Sequence, residues 1–245
     1  MSIRKPRTRI CLQLKILRRQ SAAQQPFWQI IPYETDNMAE TVASALTRIN
    51  ESGTCRDSQG RPVTKIVWEH SCLQKKCGAC AMVIAGRPQL ACEVFLRGFR
   101  NGKTVTIEPL RKFPIIADLQ CDRSILFENL GTMQLWGQED HAQIQTDPER
   151  SYDAARCLQC GCCLEVCPNV AVGERFFGAA SFVPAARLLS TLPEEDQTAV
   201  RRAYAQHCYQ DCGKSLACHA ICPAGIDIRR LLLHTNAVVF RGLPH

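Results

Sequence analysis

Apolar and polar positions alternate through residues 9–17: Ile10, Leu12, Leu14 and Ile16 are apolar, with Arg9, Cys11, Gln13 and Lys15 between them. A period of two marks a half-buried strand. After a polar break at residues 21–25, a second strand reads from Phe27 to Tyr33, and the pair predicts a hairpin. Residues 41–49 place Val42, Leu46 and Ile49 at helical spacing, with Ser52-Gly53 as the stop. Ile66–Trp68 reads as a short strand entering a cysteine cluster. Met82–Ile84 and Thr104–Ile107 read as further strands, punctuated by turns at Gly86 and Asn101-Gly102.

This order describes an α+β domain with a mixed sheet over residues 1–117. From Asp118 the pattern changes. Leu119, Ile125, Leu126, Leu130 and Leu135 predict helix, and residues 118–245 read as helical segments broken by two cysteine-rich loops. No stretch approaches about 18 consecutive apolar residues, so the sequence predicts no membrane-spanning helix.

The composition is ordinary except for 16 cysteines. That number fits either a secreted disulfide scaffold or a metal protein. The N-terminus is basic but lacks the apolar run and cleavage site of a secretory signal. The cysteines are tightly clustered, with Cys162 and Cys163 adjacent. Both features point to metal.

The first cluster is Cys72-x4-Cys77-x2-Cys80, followed by Cys92. This is the plant-type ferredoxin pattern for a [2Fe–2S] cluster. A tight loop supplies three thiolates to the rhomb and a later segment returns the fourth. Gly78 and Ala79 allow close backbone approach and N–H donation to sulfur. Four cysteines can also hold structural zinc, but the spacing and the sheet context favour iron and sulfide.

Cys157-x2-Cys160-x2-Cys163-x3-Cys167-Pro168 matches the bacterial ferredoxin run. Its echo is Cys212-x2-Ser215-x2-Cys218-x3-Cys222-Pro223, with serine in one cysteine position. In two-cluster ferredoxins the fourth cysteine of each run serves the other cluster. Crossover then gives Cys157, Cys160, Cys163 and Cys222 as a [4Fe–4S] set. It leaves Cys167, Cys212 and Cys218, one thiolate short, as a [3Fe–4S] set. The alternative is that Ser215 or Cys208 supplies a fourth ligand. Cys162 reads as a buried neighbour, and Cys11, Cys55, Cys121 and Cys208 as small apolar core residues.

The net charge of +7 changes meaning with this assignment. Three oxidised clusters at about −2 each would bring the total near neutrality, so no nucleic-acid partner is expected.

A plant-type [2Fe–2S] domain of β-grasp form, followed by an all-α two-cluster domain with one cysteine missing, resembles the iron–sulfur subunit of succinate dehydrogenase and fumarate reductase. The resemblance spans nearly the whole chain. It is carried also by Cys77-Gly-Ala-Cys-Ala-Met82, Thr106-Ile-Glu-Pro-Leu110, Phe113-Pro114, Asp118-Leu119 and Arg156-Cys-Leu-Gln-Cys160. Cys167-Pro-Asn-Val170 looks like the branch anchored by a di-haem cytochrome b, often paired with menaquinone.

The resemblance implies an electron relay with no catalytic residue of its own. A partner flavoprotein carrying FAD would handle the dicarboxylate. Single electrons would pass through the two-iron, four-iron and three-iron clusters to a quinone-binding anchor. The subunit would sit peripherally on the cytoplasmic face of a bacterial inner membrane. In the mitochondrial-type branch, tryptophan and histidine beside the last cluster help form a quinone pocket. The matching positions here are Ala171, Val172 and Gly213, so no quinone residue is assigned, and His219 reads as a surface histidine. Relatives that serve other flavin-linked reductases, thiol-dependent or heterodisulfide-reductase-like, often carry a further cysteine-rich domain. Here 23 residues follow Cys222, which favours the simpler subunit. A zinc-binding interaction module is the reading from a different class. The helix expected over Ile226–Phe240 reads as core packing.

Overall fold

The computed structural model describes residues 9–21, 23–135 and 147–241. The N-terminal residues 1–8, read above for a leader, lie outside the described residues. The chain divides into two compact units, the first ending at Cys121 and the second beginning at Asp122.

In the first unit, β1 (Ile10–Arg18) pairs antiparallel with β2 (Phe27–Thr35) as the expected hairpin. Every second residue of β1 is buried, which fixes its register, because a one-residue slip would expose all of them. Helix α1 (Val42–Ser52) follows. It is capped by Thr41 in a reciprocal box with Ser44 and stopped by Gly53 at φ 59°. Three more strands, β3 (Ala81–Ile84), β4 (Arg87–Leu90) and β5 (Thr104–Glu108), complete a five-stranded sheet. Its order is β2-β1-β5-β3-β4, with β1 and β5 parallel. The two-stranded ribbon β6 (Ile115–Ala117) and β7 (Gln120–Cys121) is too short to announce itself by alternation.

The expected strand Ile66–Trp68 is extended chain outside any sheet. Most of its backbone groups bond to side chains, and Val67 C=O accepts from Leu119 N–H at 3.0 Å in the turn between β6 and β7. Asn50 takes both Ile66 groups at 2.8 Å, and Asp118 accepts from Val67 N–H at 2.9 Å. Leu119 lies in the turn between β6 and β7 and not in a helix.

The same Asp118 anchors the buried centre of this unit. Arg18 and Asp118 have fully buried side chains and form an ion pair at 3.0 Å. Asp118 also accepts from Arg19 N–H at 2.9 Å. The Arg18 guanidinium donates onward to Gln29 and to the carbonyls of Thr64 and Lys65. Gln29 passes the chain of bonds to Asp57. The stretch leading into Cys72 is thus held by a charge network in place of a strand, and every member has a partner, as burial demands.

In the second unit, α2 (Ser124–Thr132), α3 (Pro148–Ala155), α4 (Cys162–Val166), α5 (Ala179–Leu189), α6 (Thr198–Tyr204), α7 (Ala217–Ile221) and α8 (Ile228–Arg241) surround one apolar core. Phe182, Val183, Tyr204, Ile226, Ile228 and Leu231 are central to it. A π-helical turn, Ala205–Tyr209, extends α6. Gly178 sits at φ +66°, where a Cβ would strike Leu164 at 2.7 Å and Val170 at 2.8 Å, so glycine alone lets α5 start against α4.

The Arg18 network makes a stability prediction. Arg18→Met leaves the Asp118 carboxylate buried without its cation. The expected loss is about 3–5 kcal/mol, read as a lower unfolding midpoint for the full chain. An unchanged midpoint would show that the pair carries no such weight.

Candidate cluster sites

The two cysteine runs of the second unit share one backbone course, which the spacing alone could not reveal. Two residues after Cys157 the chain turns left-handed at Gln159 (φ 48°), and two further on at Gly161 (φ 85°). The five-residue helix α4 follows and ends at Cys167. After Cys212, Lys214 (φ 53°) and Leu216 (φ 56°) turn left-handed, α7 follows, and Cys222 ends it. Non-glycine residues in this region cost energy. Their recurrence at matching positions marks a loop shaped to wrap something. Helices α4 and α7 pack against each other, which sets the two runs side by side.

This pairing brings Cys222 to the first run. Cys157, Cys160, Cys163 and Cys222 all line one pocket, with Ala179, Val183, Pro223, Ile226 and Ile228 as its apolar walls. The fold thus seats Cys222 beside the first run. Arg156 secures it by donating to Ala224 O at 2.9 Å and Gly225 O at 3.0 Å. It also pairs with Asp153, whose other oxygen accepts from Asp227 N–H at 3.0 Å. The residues on either side of Cys157 and Cys222 are stapled together. Gln159 adds a side-chain N–H to the Cys157 sulfur at 3.3 Å.

The thiols of this pocket burden one another. Burial pushes Cys157 up to about 11, with Cys160 and Cys222 adding to the rise. Cys163 is raised well above the ordinary thiol range by burial, then by Cys160, Cys157, Cys218 and Cys222. Cys160 is lowered to about 7 because the Cys162 thiol hydrogen-bonds its sulfur, with the Arg123 cation helping. Cys162 is thus the buried neighbour expected, acting as a donor to a ligand candidate. Four thiolates cannot share this apolar pocket without a polycationic core, and iron ions bridged by sulfide supply one.

The remaining candidates gather beside it. Burial raises Cys218 to about 11, and Cys167 and Cys212 raise it further, so these three thiols share a neighbourhood. Ser215 is exposed. Cys208 is buried and points its thiol to the Met133 sulfur at 3.8 Å. His219 is exposed, 3.8 Å from Asp227.

In the first unit, Cys72, Cys77, Cys80 and Cys92 form two thiol pairs. The Cys77 thiol donates to Cys72, and the Cys80 thiol donates to Cys92. Backbone N–H groups of Gln74 and Lys76 both reach the Cys72 sulfur at 3.3 Å, and Lys75 N–H reaches Cys92 at 3.3 Å. The bonds to Cys72 bring its thiol down to about 7, whereas burial pushes Cys80 up to about 12. The left-handed residues Leu73 (φ 53°), Lys75 (φ 60°) and Gly78 (φ 74°) turn these N–H groups inward. Gly78 was legible in the sequence; Leu73 and Lys75 were not. The Cys92 segment is held by α1, whose Ala43 N–H bonds Ala91 O at 3.0 Å, and by the turn before β3, because Ala91 N–H bonds Cys80 O at 3.0 Å. Among the described residues, no three His, Cys, Asp or Glu side chains close on a point where a lone metal ion could sit. The donor sets, fixed by N–H···S bonds and like-charged thiols, fit iron–sulfur clusters.

Comparison with known proteins agrees. Residues 13–128 match the family described as a 2Fe-2S iron-sulfur cluster binding domain, and residues 153–226 match a 4Fe-4S dicluster domain. The chain is 32% identical over 227 residues to the succinate dehydrogenase iron-sulfur subunit of Bacillus subtilis, covering 86% of this chain and 87% of that one. It is 30% identical over 168 residues to the fumarate reductase iron-sulfur subunit of Wolinella succinogenes, covering 62% and 69%. A chain in the structure titled "Mycobacterium smegmatis Sdh1 complex in the apo form" shares the fold, with a TM-score of 0.76 at 23% identity, over 96% of this chain and 98% of that one. An α+β two-iron ferredoxin domain followed by a helical dicluster domain, with relatives matched along most of the chain, places this protein in the family of succinate dehydrogenase and fumarate reductase iron–sulfur subunits.

Proposed function

We propose that this chain is a three-cluster wire. Cys72, Cys77, Cys80 and Cys92 hold a [2Fe–2S] cluster. Cys157, Cys160, Cys163 and Cys222 hold a [4Fe–4S] cluster, and Cys167, Cys212 and Cys218 hold a [3Fe–4S] cluster. The observation that carries the reading is the pocket shared by Cys222 and the first cysteine run. It uses four thiols and leaves three in the neighbouring set. The Cys208–Met133 contact supports a three-thiol set.

The clusters, once bound, supply reversible one-electron oxidation and reduction. The protein's own share is to fix the thiolates, shield them with Val183, Ile226 and Ile228, and aim N–H groups at sulfur, which raises potential. No helix among the described residues is long and apolar enough to cross a membrane. Quinone chemistry is therefore assigned to an anchor partner and dicarboxylate chemistry to an FAD flavoprotein. The expected anchor is a cytochrome b working with menaquinone. It would hold this subunit at the cytoplasmic face of a bacterial inner membrane. Electrons would enter at the site of Cys72, Cys77, Cys80 and Cys92 and leave at that of Cys167, Cys212 and Cys218.

Two outcomes follow. In membranes containing the assembled complex, low-temperature EPR of the oxidised sample should show a spin-half three-iron signal. Anaerobic succinate should abolish it and bring up the reduced [2Fe–2S] signal. Clusters that ignore succinate would show that the partner serves another substrate. Separately, Arg156→Leu unfastens the Cys222 loop. It should lower four-iron occupancy, or activity, on the order of tenfold, while the [2Fe–2S] spin count holds. Equal loss of both would make Arg156 a general stability residue.

A further inference from the structure

The loop carrying Cys72 and Cys77 is exposed and conformationally costly. Leu73 to Cys77 are solvent-facing, and two non-glycine residues, Leu73 and Lys75, stand in the left-handed region. Nothing apolar covers the loop to repay that cost. Yet its function depends on the contour, because three successive N–H groups, from Gln74, Lys75 and Lys76, are turned onto Cys72 and Cys92. The Lys75 N–H is the one that crosses to the far cysteine.

Lys75 also makes a second bond in the same direction. Its ammonium pairs with the Glu93 carboxylate at 2.5 Å. Glu93 stands on a fixed base: its own N–H bonds Leu90 O at 2.9 Å, and Ala91, two residues earlier, is held by Ala43 N–H of α1 and by Cys80 O. The side-chain bond and the backbone N–H···S bond of Lys75 therefore span the same gap, from the strained loop to the rigid segment bearing Cys92.

We propose that the Lys75–Glu93 ion pair is a positioning latch for the two-iron site, holding the left-handed Lys75 backbone so that its N–H stays on the Cys92 sulfur and thereby sets the cluster's reduction potential. This rests on the assignment of Cys72, Cys77, Cys80 and Cys92 as the ligands. Neither latch residue touches iron. They act through the direction of one N–H dipole, and N–H donation to cluster sulfur raises potential.

The latch and a plain charge effect make opposite predictions. Near a cluster, removing a negative charge stabilises the reduced, more anionic state, so by through-space charge alone Glu93→Gln raises the potential. If the carboxylate instead works by holding Lys75, the same change frees the loop, lengthens the N–H···S bond and lowers the potential. The experiment is a redox titration of the assembled complex, following the reduced [2Fe–2S] EPR signal. It compares the native protein, Glu93→Gln, Lys75→Gln, and the exchange Lys75→Glu with Glu93→Lys. The midpoint is expected to fall in both single variants and to return toward native in the exchange, which restores the pair. A rise or no change in Glu93→Gln overturns the latch, as does an exchange that recovers nothing. If Glu93→Gln loses the signal, recovery in the exchange supports the latch and its absence overturns it. A native complex with no two-iron signal overturns the ligand assignment itself, a different result from any of these.

Discussion

Everything in the second unit depends on one electrostatic constraint: several thiolates must share a space that excludes water. Burial and mutual repulsion drive Cys157, Cys163 and Cys218 above the ordinary thiol range, so their surroundings alone favour protonated thiols. A cluster's iron ions reverse that balance, and their binding then contributes directly to the stability of the fold. The protein prepares for them with geometry. The two matched left-handed loops, the short helices α4 and α7, and the Arg156 staple bring Cys222 beside Cys157, Cys160 and Cys163.

The first unit answers the same constraint with different means. Its cluster loop is held from beneath by the sheet and α1, and along its approach by the Arg18–Asp118 network. The charge network replaces a strand at Ile66–Trp68. A ladder partner would fix the backbone only along the sheet. Asn50 and Asp118 side chains fix it outside the sheet, where it runs toward Cys72.

How much of this the sequence carried depended on whether the signal was local. The alternation of β1, the spacing of α1 and the cysteine runs were legible because each is written in nearby positions. The placing of Cys222 beside the first run was anticipated from the matched spacing of the two runs. The strand expected at Ile66–Trp68 and the helix expected at Leu119 were misread. Apolar character there reflects burial, while the backbone partners come from residues distant in sequence. Leu73, Lys75, Gln159 and Lys214 in left-handed conformations had no signal, since nothing about their side chains favours that region. The donor role of Cys162 and the staple of Arg156 likewise required the third dimension.

Membership of the family follows from relatives matched along most of the chain, and the wire reading follows from how its cysteines converge. The sharpest claim is that Cys222 belongs with Cys157, Cys160 and Cys163. Low-temperature EPR of the assembled complex carrying Cys222→Ser, oxidised and then reduced with dithionite, tests it directly. The account predicts that the four-iron signal is lost or altered while the oxidised three-iron signal persists. Loss of the three-iron signal with an intact four-iron cluster would contradict it.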